Sequence, residues 1–145
     1  MLPGLWAGVL WCIALVATPA PFAVLATGDA GRVVGRIFSQ EAYLSLAIAV
    51  VLLALERRAA SLSGESRLNA PMLMALGAIF CTVAGYFGLQ PMMAAAKAGQ
   101  GAWTFGQLHG ASLAFFGIKI ILATALAWRA AGLSPRQVSL VGPSS

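Results

Sequence analysis

Charge is scarce in this chain. Nine Lys and Arg with four Asp and Glu make up only 9% of the 145 residues, against a hydrophobic share of 60%. Soluble globular domains carry about 25% charged residues. A domain of this size leaves much of its surface exposed and has no core large enough to hide so much apolar area. Mean hydropathy is +0.87. A soluble monomer and a disordered chain are therefore excluded. The net charge of +5 does not mark a nucleic-acid binder, because the basic residues are scattered between apolar runs and form no patch. Histidine occurs once and cysteine twice. Cys12 and Cys81 lie inside apolar runs without CxxC spacing, so they imply no disulfide framework and read as small buried hydrophobes. There is no nucleotide loop, no catalytic pair of carboxylates and no zinc spacing.

What remains is four long apolar runs. A spanning helix needs about 20 predominantly apolar residues. Residues 5–26, 37–55, 70–90 and 105–128 meet that length, with Glu41, His109 and Lys119 the only His, Lys, Arg, Asp or Glu within them. Backbone groups in hydrocarbon must be paired internally, which makes such spans helices. The period-2 alternation of a membrane barrel is absent. The expected fold is an all-α membrane protein, a four-helix antiparallel transmembrane bundle over residues 1–129 with a flexible tail at 130–145. Connections of 10 to 14 residues are too short for a further domain. Asp29 is a candidate helix cap, Ser61–Ser66 a polar loop, and Pro71 suits a first helical turn. Pro91 is expected to end the third helix.

Residues 29–38 read as a short amphipathic interfacial helix. Val33, Val34, Ile37 and Phe38 share one side, and Arg32 and Arg36 share another. A cleavable signal peptide is the alternative for the first run, with small residues near a cut at Thr18–Ala23. No Lys or Arg precedes that run, however, and it exceeds a usual signal core. An even number of spans places both termini on one side with Arg57, Arg58, Arg67, Arg129 and Arg136. The other side holds Arg32, Arg36 and Lys97. Five against three puts the termini in the cytoplasm, and the plasma (cell inner) membrane is the expected location.

At about 1.5 Å per helical residue, residues distant in sequence can be matched in depth. His109 sits near the outer end of the fourth span, level with Glu41 and Tyr86, with Gln90 and Gln40 just beyond. Ser112 follows His109 on nearly the same face. One reading is a polar pocket in which Glu41 orients the imidazole for a ligand, proton or metal. The other is a set of interfacial groups solvated by water and headgroups. Lys119 lies ten residues from His109, about 15 Å along the helix, which makes it a separate site. It either faces the bundle interior or snorkels to the cytoplasmic interface near Glu56. Gly106 and Gly110, like Gly4 and Gly8, form GxxxG motifs suited to close helix packing. The adjacent Met92 and Met93 point in different directions on a helix and read as gap-filling rather than as one soft-metal site.

Several segments resemble a known family. They are Phe22-Ala23-Val24-Leu25, Ala30-Gly31-Arg32-Val33-Val34-Gly35-Arg36-Ile37-Phe38, Leu89-Gln90-Pro91-Met92-Met93 and Phe105-Gly106-Gln107-Leu108-His109-Gly110-Ala111-Ser112. Their order and spacing are similar to the transmembrane-protein-205-like family, a domain-of-unknown-function family of small multi-pass membrane proteins. The resemblance covers roughly residues 5–129 and implies a four-helix integral membrane protein without implying a reaction. Phe116 stands where the family often carries Asn.

Three functions compete. The first is small-ligand or ion binding, or transport, at a polar site near the outer face, through His109, Glu41, Tyr86, Gln90 and Ser112. The second is a membrane redox or metal protein, with haem or a soft metal held by His109. The third is a structural accessory subunit that packs through its glycine faces. The residues imply no cofactor and no enzyme activity. The bilayer is the certain partner, with a homo-oligomer or a larger membrane complex as further expectations.

Overall fold

The computed structural model describes residues 1–63 and 69–132. It is a four-helix membrane bundle with no strand among the described residues. The helices are α1 (Leu2–Val24), α2 (Thr27–Ser63), α3 (Ala70–Lys97) and α4 (Phe105–Gly132). Each is long and apolar enough to cross a membrane. At about 1.5 Å per residue even the shortest, α1, exceeds the ~30 Å hydrocarbon core.

The connections are shorter than the sequence suggests. The amphipathic stretch is helical as expected, but it is not a separate element. It forms the first turns of α2, a single helix of 37 residues, so only Leu25 and Ala26 separate α1 from α2. Asp29 lies inside the first turn, where it accepts from Arg32. It is not the cap. Helix α3 begins as expected, with Asn69 accepting from the Met72 amide at 3.0 Å and Pro71 in the first turn. The residues beyond Ser63 in the Ser61–Ser66 stretch, and most of the 130–145 tail, lie outside the described residues.

Pro91 does not end α3. The helix continues to Lys97 because the preceding turn, Val83–Gly88, is wound as a π-helix. A proline ring clashes with the carbonyl four residues back. For Pro91 that carbonyl belongs to Phe87, inside the widened turn. Helix α1 uses the same device. Its π turn, Ile13–Ala17, contains the carbonyls four residues before Pro19 and Pro21. The Thr18 amide donates to the Ile13 carbonyl, five residues back, at 2.9 Å.

The helices form a square. Each packs on its two neighbours, so α1 lies diagonal to α3, and α2 to α4. The half at the start of α1 and the end of α4 is tightly closed. Trp6, Leu10, Ala49, Leu52, Ala78, Ile120, Ala123 and Leu126 make its core. Three of these eight, Ala49, Ala78 and Ala123, are alanine, which lets backbones approach closely. Leu5, Leu15, Phe80 and Ile121 are exposed and suited to lipid contact. Cys12 is also exposed, whereas Cys81 is buried; Cys12 is therefore not the buried hydrophobe its apolar run suggests. In the other half of the bundle the helices diverge around a cavity.

Candidate functional site

The cavity has a volume of about 560 Å³ and is bounded by all four helices. Its rim is built from helix ends: Thr27 and Arg32 on α2, Lys97 on α3, Phe105 and His109 on α4. Its floor is Glu41, Cys81, Thr82 and Lys119.

The floor is an ion pair across the bundle diagonal. Lys119 Nζ donates to both carboxylate oxygens of Glu41, at 2.7 and 2.8 Å. Glu41 is 4% exposed and Lys119 is 3% exposed. The Ser45 hydroxyl also donates to Glu41 Oε1, and Trp6 Nε1 donates to Ser45 Oγ at 2.9 Å. The chain Trp6–Ser45–Glu41–Lys119 thus joins α1, α2 and α4. Removing one partner from such a buried pair typically costs about 3–5 kcal/mol, because the other charge is left without compensation.

The pair corrects one expectation and decides between two others. Glu41 is bonded to Lys119, not level with and oriented toward His109, and of the two readings of Lys119 it follows the one that faces the bundle interior, not the one that snorkels toward Glu56. The depth matching fails because the second span was counted from residue 37. Helix α2 starts at Thr27, so Glu41 and Lys119 each lie fourteen residues past the start of their helices, about 21 Å in. Counting the amphipathic 29–38 segment as part of the same helix brings Glu41 to within about two residues of the Lys119 level.

His109 lies at the rim, exposed, with its ring stacked on Phe105 at 5.6 Å. The Lys97 ammonium sits 4.7 Å from the same Phe105 ring. Thr104 and Gln107 hold this end of α4 in a capping box. The Thr104 amide donates to Gln107 Oε1 at 3.0 Å, and the Gln107 amide donates to Thr104 Oγ1 at 3.3 Å. The Thr-x-x-Gln pattern before an apolar run is a readable helix start, and it was missed.

Tyr86, Gln90 and Ser112 line the cavity wall with His109. The same cavity reaches Lys119, so His109 and Lys119 are two levels of one site rather than separate sites. Ser112 is not free in this wall. Its hydroxyl donates to the Gly85 carbonyl at 3.0 Å, a backbone group within the π turn of α3. Of the two methionines, Met93 lines the cavity and Met92 is exposed. Among the described residues no group of three His, Cys, Asp or Glu is placed to hold a metal ion.

The close helix contact is at Gly85. A Cβ there would lie 2.5 Å from Phe115 Cβ. At Gly4, Gly8, Gly106 and Gly110 an added Cβ would meet nothing within 4 Å. These GxxxG faces therefore make no tight packing within the chain, because they turn away from the bundle axis.

No curated protein and no solved structure matches the chain. One family does match, over residues 1–102 and thus most of the chain, ending before the capped start of α4. This four-helix membrane protein belongs to the family described as Domain of unknown function (DUF4149).

Proposed function

We propose that this protein binds a small ligand and presents or moves it within the membrane, through the cavity between its helices. The observation that carries this reading is a cavity of about 560 Å³ running from exposed helix ends to a buried ion pair. Pockets of roughly 300–1,000 Å³ with a few convergent polar groups are the usual shape of a small-molecule site. Intramembrane charges facing such a space mark ligand or ion paths. His109, Tyr86 and Gln90 form the polar wall, and Glu41 with Lys119 closes the inner end. The basic-residue count, five against three in the sequence, supports an open end that faces outward from the plasma membrane. The resemblance of Phe105–Ser112 to the transmembrane-protein-205-like family is consistent with the four-helix architecture and adds no reaction.

Cys81 is a built-in reporter, because it lies on the cavity floor. In a Cys12→Ala protein, a charged, membrane-impermeant methanethiosulfonate added outside intact cells is expected to modify Cys81. Modification from the cytoplasmic side alone, or no modification, would overturn the reading.

A second reading is self-association or an accessory role, and the open glycine faces at Gly4–Gly8 and Gly106–Gly110 favour it. Cysteine cross-linking along these faces in native membranes tests it. A cross-link between copies supports a homo-oligomer, and a cross-link to another chain supports a larger complex.

A further inference from the structure

The lining of the cavity also points to the class of ligand, an inference that rests on the cavity being a ligand site. Glu41 is the one acidic side chain among the lining residues, and it is fully engaged. Lys119 takes both its oxygens, and Ser45 adds a third bond. No free carboxylate therefore faces an occupant, and a cationic ligand would find no counter-charge.

The positive charge is less completely used. Lys97 is exposed at the rim, and among the described residues no carboxylate lies within 4 Å of it; it rests over the Phe105 ring. Arg32 shares the rim and pairs with Asp29 on the exposed side of α2. His109 stacks beside them on Phe105. At the floor, Lys119 has three N–H donors and gives two of its contacts to Glu41, with the Phe116 ring 5.0 Å from its nitrogen. Between rim and floor, Phe22, Phe38, Met93, Leu113 and Phe116 give an apolar lining beside the polar one of Tyr86 and Gln90. Phe38 and Phe116 meet edge to face at 4.9 Å across the bundle diagonal. From the level of His109 at the rim to that of Lys119 at the floor, α4 rises about 15 Å.

A positive rim above a mostly apolar cavity is complementary to an amphiphile, not to a small hydrated ion. We propose that the cavity takes an amphiphile with an anionic head, a carboxylate or a phosphate, held at Lys97 and His109 while its hydrocarbon chain lies against Phe38, Leu113 and Phe116. The same chemistry comes from two sources, a free long-chain acid or a membrane lipid with an anionic headgroup.

The test uses Cys12→Ala protein in phosphatidylcholine nanodiscs and a small neutral thiol reagent, methyl methanethiosulfonate. The rate of Cys81 modification is measured with dodecanoate, dodecylamine, dodecanol or dilauroyl phosphatidate. Dodecanoate is expected to protect Cys81 at roughly tenfold lower concentration than dodecylamine or dodecanol, the factor given by one favourable charged contact. Lys97→Glu is expected to erase that preference without preventing modification. Protection by phosphatidate as well points to a lipid headgroup, and protection by dodecanoate alone points to a free acid; either supports the proposal. Equal protection by dodecylamine or dodecanol overturns the anionic class and leaves the cavity reading standing. Reactive Cys81 that no amphiphile protects overturns it too. Cys81 that never reacts overturns the cavity reading beneath it.

Discussion

The residue that organises this molecule is Glu41. Buried within the membrane, it accepts from Lys119 and Ser45 and links three helices. Glu41→Ala is expected to destabilise the protein by about 3–5 kcal/mol, since it strands the Lys119 charge. The double variant Glu41→Leu with Lys119→Met is expected to be more stable than either single variant; denaturant unfolding in detergent micelles checks both. A second residue-scale prediction concerns glycine. Gly85→Ala forces a Cβ into Phe115 and should cost about 1–3 kcal/mol. Gly106→Ala and Gly110→Ala meet open space and should leave the unfolding of the monomer unchanged. The sequence pattern named Gly106 and Gly110 because GxxxG spacing is visible in a string, whereas Gly85, at the tightest helix contact, carries no such spacing signal. Similarly, His109, Tyr86, Gln90 and Ser112 were readable as one polar group, but the partner of Glu41 was not. A carboxylate in a span shows that a partner is needed and not which helix supplies it.

At the scale of elements, two features set the geometry of the cavity. The π turns allow α1 and α3 to continue through prolines, and the turn in α3 presents the Gly85 carbonyl to Ser112. The capping box fixes the start of α4 and hence the rim. Thr104→Ala is expected to cost about 1 kcal/mol and to speed amide hydrogen exchange in the first turn of α4, around Gln107 to His109, while exchange near Ile120 stays unchanged. Faster exchange throughout α4 would show that the box is not a local clasp. The existence and type of all four helices follow from their apolar runs, because hydrocarbon tolerates little else. Their ends were less legible. Polar first turns such as Asp29–Arg36 look like loop or interface to a hydropathy reading, and proline looks like a stop until a π turn removes its clash.

At the scale of the whole molecule, one half is a sealed core and the other an open cavity, with an ion pair at the boundary. Helix α1 starts and α4 ends at the sealed end. The excess of basic residues that the sequence assigns to that side, five against three, predicts that it faces the cytoplasm. A cysteine at Gln100 is expected to react with an impermeant maleimide in intact cells, and a cysteine at Ser61 only after permeabilisation; the reverse pattern would invert the cavity's access. Composition by itself determined that this chain lives in a bilayer as four helices, because its few charges and long apolar runs have no other stable solvent. Only the tertiary structure decided that α2 and α4 face each other across a diagonal and that Glu41 meets Lys119 there. It also decided that His109 and Lys119 share one cavity. Those outcomes depend on where each helix begins and how it is rotated, and a shift of a few residues at a helix end moves a side chain by a full turn, which an apolar run does not specify.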